Sequence, residues 1–114
     1  MENNVKISIL LEIYGKLLTE KQRELLENYY NNDLSLSEIA ENNGITRQAV
    51  RDIIKKCEKK LFEYEEELNF MEKILSQEKV IKSIIKDLND VKQNLDITNK
   101  KKIDEIKTKL DNLI

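Results

Sequence analysis

The chain has 114 residues, with 20 Lys and Arg against 22 Asp and Glu, no His, and a net charge of −2. That length and an apolar content of 39% describe one domain or a small domain with an appendage, with a modest core whose burial dimerisation is expected to extend. The balance of charge excludes a polycation that clings to any nucleic acid, and the absence of Pro, with only Gly15 and Gly44, points to an all-α protein.

A first helix is predicted over about 4–17, where Ile7, Leu10, Leu11, Tyr14 and Leu17 fall at helical spacing. Leu18 and Thr19 mark a break, and Thr19 with Gln22 forms a capping box for a helix over about 20–31 that buries Leu25, Leu26 and Tyr29. After the Asn31-Asn32-Asp33 turn, Ser35 and Glu38 form another capping box, with Leu34 and Ile39 placed as a hydrophobic staple. Ala40 sits where two helices would cross, Gly44 can take the positive φ of a short turn, and Ile45 is expected to plug the core below it. Thr46 caps the next helix. On that helix Val50, Ile53, Ile54 and Cys57 share one face, while Gln48, Arg51, Asp52 and Lys55 line the opposite one. Two helices joined by a glycine turn, the second with a polar stripe, read as a helix-turn-helix, and the stripe is the face a DNA major groove would meet.

No glycine, proline or cap signal is apparent between Thr46 and Leu75, so the recognition helix is expected to run on for roughly 43 Å. Val50, Cys57, Tyr64 and Met71 recur every seven residues, and Ile54, Leu61, Leu68 and Leu75 follow in step, an a/d seam that wants a partner. With Ser76 as N-cap, a following helix carries Ile81, Ile84, Leu88, Val91 and Leu95 at the same spacing. The partner is then either that helix, folded back as an antiparallel hairpin, or the same helix of another chain in a homodimer. A phase break at Asp96-Ile97-Thr98-Asn99 precedes a last helix with Ile103, Ile106, Leu110 and Leu113, and Lys100-Lys101-Lys102 near its start reads as a solvated charge run. The expected division is a helix-turn-helix domain over 1–62 and a C-terminal helical hairpin and terminal helix over 63–114.

Charge concentrates where the motif requires it. Between Asn43 and Lys60, Arg47, Arg51, Lys55, Lys56, Lys59 and Lys60 face only Asp52 and Glu58, and the acidic run Glu63-Tyr64-Glu65-Glu66-Glu67 follows. Phosphates would be drawn to the first turns of the helix and repelled from the later ones.

Leu18-Thr19, Gln22-Arg23, Leu25-Leu26, Tyr29-Tyr30, Leu34-Ser35, Glu38-Ile39-Ala40, Gly44-Ile45-Thr46-Arg47 and Ala49-Val50 closely resemble region 4 of bacterial sigma factors, over about residues 16–62. The helix-turn-helix domain over 1–62 is thus expected to be sigma region 4-like. With the N-terminal helix containing Tyr14-Gly15, the Arg47-Gln48-Ala49-Val50 sequence, the Tyr64-Glu65-Glu66 stretch and the overall length, the chain resembles the YlxM family. The resemblance implies a helix-turn-helix protein whose gene lies with those of the signal recognition particle GTPases, and components of that pathway as partners. The sigma pattern, carried across, implies Arg47 and Arg51 as contacts to guanine or phosphate and Gln48 as a reader of adenine, with Ser35, Thr46 and Lys55 positioning the DNA backbone. Gln48 stands where the sigma pattern has an acidic base reader and Asp52 where it has Gln, so promoter specificity does not transfer, and no segment resembles the promoter-melting region.

Other chemistries find no purchase. With no His, Cys57 lacks a base and reads as a core thiol rather than a nucleophile, so no catalysis and no small-molecule substrate is expected. No phosphate-binding glycine loop or metal-ligand spacing occurs, hence no metal and no cofactor, and Glu65, Glu66 and Glu67 read as solvated surface. Neither a signal peptide nor a bilayer-length apolar span is present, and a lone cysteine forms no internal disulfide, so a cytoplasmic location without membrane insertion is expected.

Overall fold

A computed structural model describes residues 1–114, all helical and without strands: α1 (Asn3–Tyr14), a 3₁₀ turn (Gly15–Leu17), α2 (Glu20–Tyr30), α3 (Leu36–Asn43), α4 (Arg47–Leu68), α5 (Phe70–Lys92) and α6 (Ile97–Asp111). Both capping boxes form. Thr19 Oγ1 accepts from Gln22 N at 3.2 Å while Gln22 Oε1 accepts from Thr19 N at 3.1 Å, and Ser35 and Glu38 exchange the same pair at 3.0 and 3.2 Å. Each satisfies two of the amide donors that a helix start leaves unpaired. The first helix is shorter than its periodicity suggests, because the chain tightens into the 3₁₀ turn after Tyr14. Leu17, expected on the core face, is instead exposed, and Leu18 takes a buried place.

The chain divides into two compact units, Met1–Met71 and Glu72–Ile114. In the first, α4 packs against α1, α2 and α3. The shared core is Ile7, Leu10, Leu11 and Tyr14 from α1, Leu25 and Leu26 from α2, Ile39 and Ala40 from α3, and Val50, Ile54, Cys57 and Leu61 from α4. Replacing a fully buried leucine here, such as Leu26, with Ala would remove roughly 2–5 kcal/mol. Tyr29 is only half-buried, edge-on to Tyr30 with ring centroids 5.0 Å apart.

The helix α4 does not run to Leu75 as expected. It stops at Leu68, roughly 33 Å from its start, and Asn69 adopts a left-handed conformation (φ 55°) from which its N–H returns to Glu65 O at 2.8 Å. Asparagine tolerates that conformation better than most residues. Ser76, expected as an N-cap, therefore lies inside α5. The seam is divided accordingly. Val50, Ile54, Cys57 and Leu61 are consumed by the core of their own unit, Tyr64 is half-buried, Leu68 is exposed, and Met71 and Leu75 belong to the next helix.

The junction at Asn69 is held by an acid that the sequence pattern places on the surface. Glu65 is buried, and its Oε1 accepts from Tyr14 Oη at 2.7 Å and from Met71 N at 2.9 Å, while Tyr14 Oη accepts from Phe70 N at 3.2 Å. One carboxylate and one phenol thus satisfy the first two amides of α5 and tie them to α1. The Tyr14 ring is also close to those of Tyr64 and Phe70, at 5.9 and 6.2 Å between centroids.

In the second unit α6 runs antiparallel to α5. Lys92 Nζ meets Asp104 Oδ1 at 2.7 Å and Lys107 hydrogen-bonds Asn89, so advancing along one helix means retreating along the other. The Lys92 ammonium holds the Asp104 carboxyl below its usual range. Asp96 caps α6 by accepting from Asn99 N at 2.8 Å. Ile81 is the one buried apolar side chain of this unit.

Glu65→Ala leaves two buried donors without acceptors and should cost about 1–3 kcal/mol for each, read as a lowered midpoint in urea unfolding. Burial, and next the hydrogen bond to Glu65, hold the Tyr14 phenol above its ordinary 10.0. The unfolded chain then releases a proton that the folded one retains, so stability is intact below pH 10 and falls as pH rises beyond it. Tyr14→Phe should make that alkaline decline shallower in a pH series of denaturation curves.

Candidate nucleic-acid interface

The joint between α3 and α4 is built by Gly44, which takes φ 65° and ψ 30°. From there Ile45 N reaches back to Ala40 O at 3.1 Å and Gly44 N to Glu41 O at 3.3 Å, a Schellman closure of α3. A Cβ on Gly44 would meet nothing within 4 Å, so the demand for glycine there is one of backbone torsion, not of space. Ile45 does not plug the core as expected. Ile39, Ala40 and Val50 already fill the space beneath the turn, and Ile45 is left 38% exposed. Thr46 then starts α4, its Oγ1 accepting from Ala49 N at 3.1 Å.

With Val50, Ile54 and Cys57 turned inward, the opposite face of α4 is open. Ser35, Thr46, Arg47, Gln48, Arg51 and Lys55 are all exposed, and neither Arg47 nor Arg51 forms an ion pair within the chain. The two arginines are one helical turn apart and share a side. Gln48 is engaged: its Nε2 donates to Asp52 Oδ1 at 2.8 Å. Half of the amide's donor capacity is therefore directed along the helix, and a carboxylate stands beside it on the open face.

A family model described as "Putative helix-turn-helix protein, YlxM / p13 like" matches residues 1–109. The chain belongs to that family. The "UPF0122 protein" of Clostridium botulinum (strain Alaska E43 / Type E3) is 44% identical over 113 residues, which is 99% of this chain and 100% of that protein. That of Clostridium kluyveri (strain NBRC 12016) is 56% identical over 85 residues, covering 75% and 77%, and that of Clostridium perfringens (strain 13 / Type A) is 47% identical over 105, covering 92% and 93%.

This YlxM / p13-like chain has a second feature at the same face that its sequence did not disclose. Arg51 and Lys55 form one wall of a groove of about 250 Å³, whose other walls are Tyr29, Tyr30, Leu36, Ile54 and Glu58. Tyr30 Oη hydrogen-bonds Glu58, and burial followed by that bond pushes the phenol well above its ordinary range. The contact pins the middle of α4 to the end of α2 and engages the Glu58 carboxylate. The two residues are 28 positions apart, so no local pattern could have paired them. Burial likewise pushes the Cys57 thiol up, which keeps it neutral and unreactive.

Gly44→Ala should destabilise the fold by about 1–2 kcal/mol through torsion alone. Ser35→Ala and Thr46→Ala should each cost about 0.5–2 kcal/mol. Thermal unfolding followed by far-UV circular dichroism measures all three.

Proposed function

We propose that this protein is a cytoplasmic DNA-binding regulator that sets the first turns of α4 in the major groove of a duplex. The reading rests on one observation: Arg47, Gln48, Arg51 and Lys55 are exposed together on a helix whose opposite face is locked into the core behind a capped, left-handed turn. Arg47 and Arg51 contact guanine edges or phosphates, and Gln48 reads adenine once its bond to Asp52 opens. Ser35, Thr46 and Lys55 hold the backbone. Basic residues up to Lys60 and acidic ones from Glu63 confine the duplex to the start of the helix. Roughly four to six phosphate contacts per subunit make affinity modest and steeply dependent on salt, so sequence-specific binding needs two subunits.

A second reading keeps the helix-turn-helix as scaffold and makes the C-terminal hairpin a docking surface for a protein or RNA of the signal recognition particle pathway. Asp52 favours it, since a carboxylate on the groove face opposes phosphate. Recovery of the pathway's GTPase or particle RNA in a pull-down, with no enrichment of genomic DNA, selects this reading.

Under the first, combined Arg47→Ala and Arg51→Ala should abolish retention of genomic fragments in a low-salt mobility-shift assay, and each alone should reduce the slope of log affinity against log salt by about one if its contact is to phosphate. Asp52→Ala should tighten binding, by removing a negative charge and freeing the Gln48 amide. Unchanged retention by the double variant would eliminate the DNA reading.

A further inference from the structure

We infer that the open face of α5 is a self-association surface that takes α5 of a second copy of this chain, antiparallel and two-fold symmetric about Val80. Val80, Ile84 and Val91 are all at least 40% exposed, and Val80, at 58%, is the most exposed of them. In this unit Ile81 alone is buried and the other inward-facing apolar side chains, among them Leu75, Ile85, Leu88 and Ile106, are only half-buried, so its core is thin against the cost of ordering two helices. The bonds from α6 reach α5 at Asn89 and Lys92. At roughly 100° per residue those positions lie about 180° and 120° round the helix from Val80, so α6 is tethered away from the apolar face.

The face is laid out for a copy of itself. Gln77 and Ile84 lie nearly symmetrically about Val80, so an antiparallel copy sets each against its counterpart with Val80 on the axis. The flanking charges are Lys73 and Asp87, seven residues before and seven after Val80, and opposite in sign. Reversing one helix against the other therefore brings Lys73 of each copy to Asp87 of the other, twice per dimer. A parallel pairing would instead direct Asp87 to Lys92, whose ammonium is already held by Asp104. The surface rests on α5 alone and is tested without DNA, so failure of the DNA reading leaves it standing, and its own failure leaves that reading to a monomer.

Sedimentation equilibrium of the full chain at tens of micromolar should show a dimer. Val80→Cys should crosslink to itself under mild oxidation, whereas the unaltered chain, whose one thiol is buried, should not. Lys73→Glu or Asp87→Lys alone should weaken association by about tenfold, because each sets like charges opposite one another. The double reversal should restore it, since it re-forms both pairs only in the antiparallel arrangement. All three positions are exposed, so helicity by circular dichroism should not change. A monomer at these concentrations, a dimer that Val80→Cys fails to crosslink, or a double reversal that stays weak would overturn the inference.

Discussion

The organisation of the helix-turn-helix unit depends on the rotational setting of α4. Val50, Ile54, Cys57 and Leu61 are held at 0–3% exposure by α1, α2 and α3, and a helix with four side chains so fixed cannot turn about its axis. Gln48, Asp52 and Lys55 must then face outward, because the 3.6-residue repeat leaves them nowhere else to go. The proposed recognition surface is the other side of the core. A cavity made beneath Val50 or Ile54 would consequently be felt in the orientation of the arginines as well as in stability.

What could be read from the sequence is what is settled within a few residues. Thr19 with Gln22, Ser35 with Glu38, Gly44 and Thr46 each act through a bond to a neighbour three to five positions away, and the helix starts and the turn lie where their chemistry places them. The end of α4 was illegible because its cause is distant. Asn69 alone is a weak stop signal, and the rest comes from Glu65 meeting a phenol 51 residues back along the chain. The seven-residue repeat was real but misleading: its first half serves the core of one unit and its last members belong to another helix. The exposure of the six proposed DNA-facing side chains was legible from helical spacing. The Gln48–Asp52 bond and the Tyr30–Glu58 clasp depend on side-chain placement that no spacing rule supplies.

The buried acid at the end of α4 also shows how polar groups can be used sparingly in a small core. No buried side-chain nitrogen or oxygen in the molecule lacks a hydrogen-bond partner. Glu65 and Tyr14 replace the N-cap that α5 does not have, and they do so from the interior, where a water-filled cap would be costly. Along α4 the charge passes from basic near Arg47 to acidic beyond Glu63, so the same helix that offers cations at one end is anchored by a carboxylate at the other.

Cys57 is fully buried and is the chain's one thiol. Alkylating reagents can reach it only when α4 lifts from its neighbours. The native protein thus carries a silent chemical clock in its centre, and the rate at which the sulfur is modified under non-denaturing conditions reports how often that helix leaves its bed.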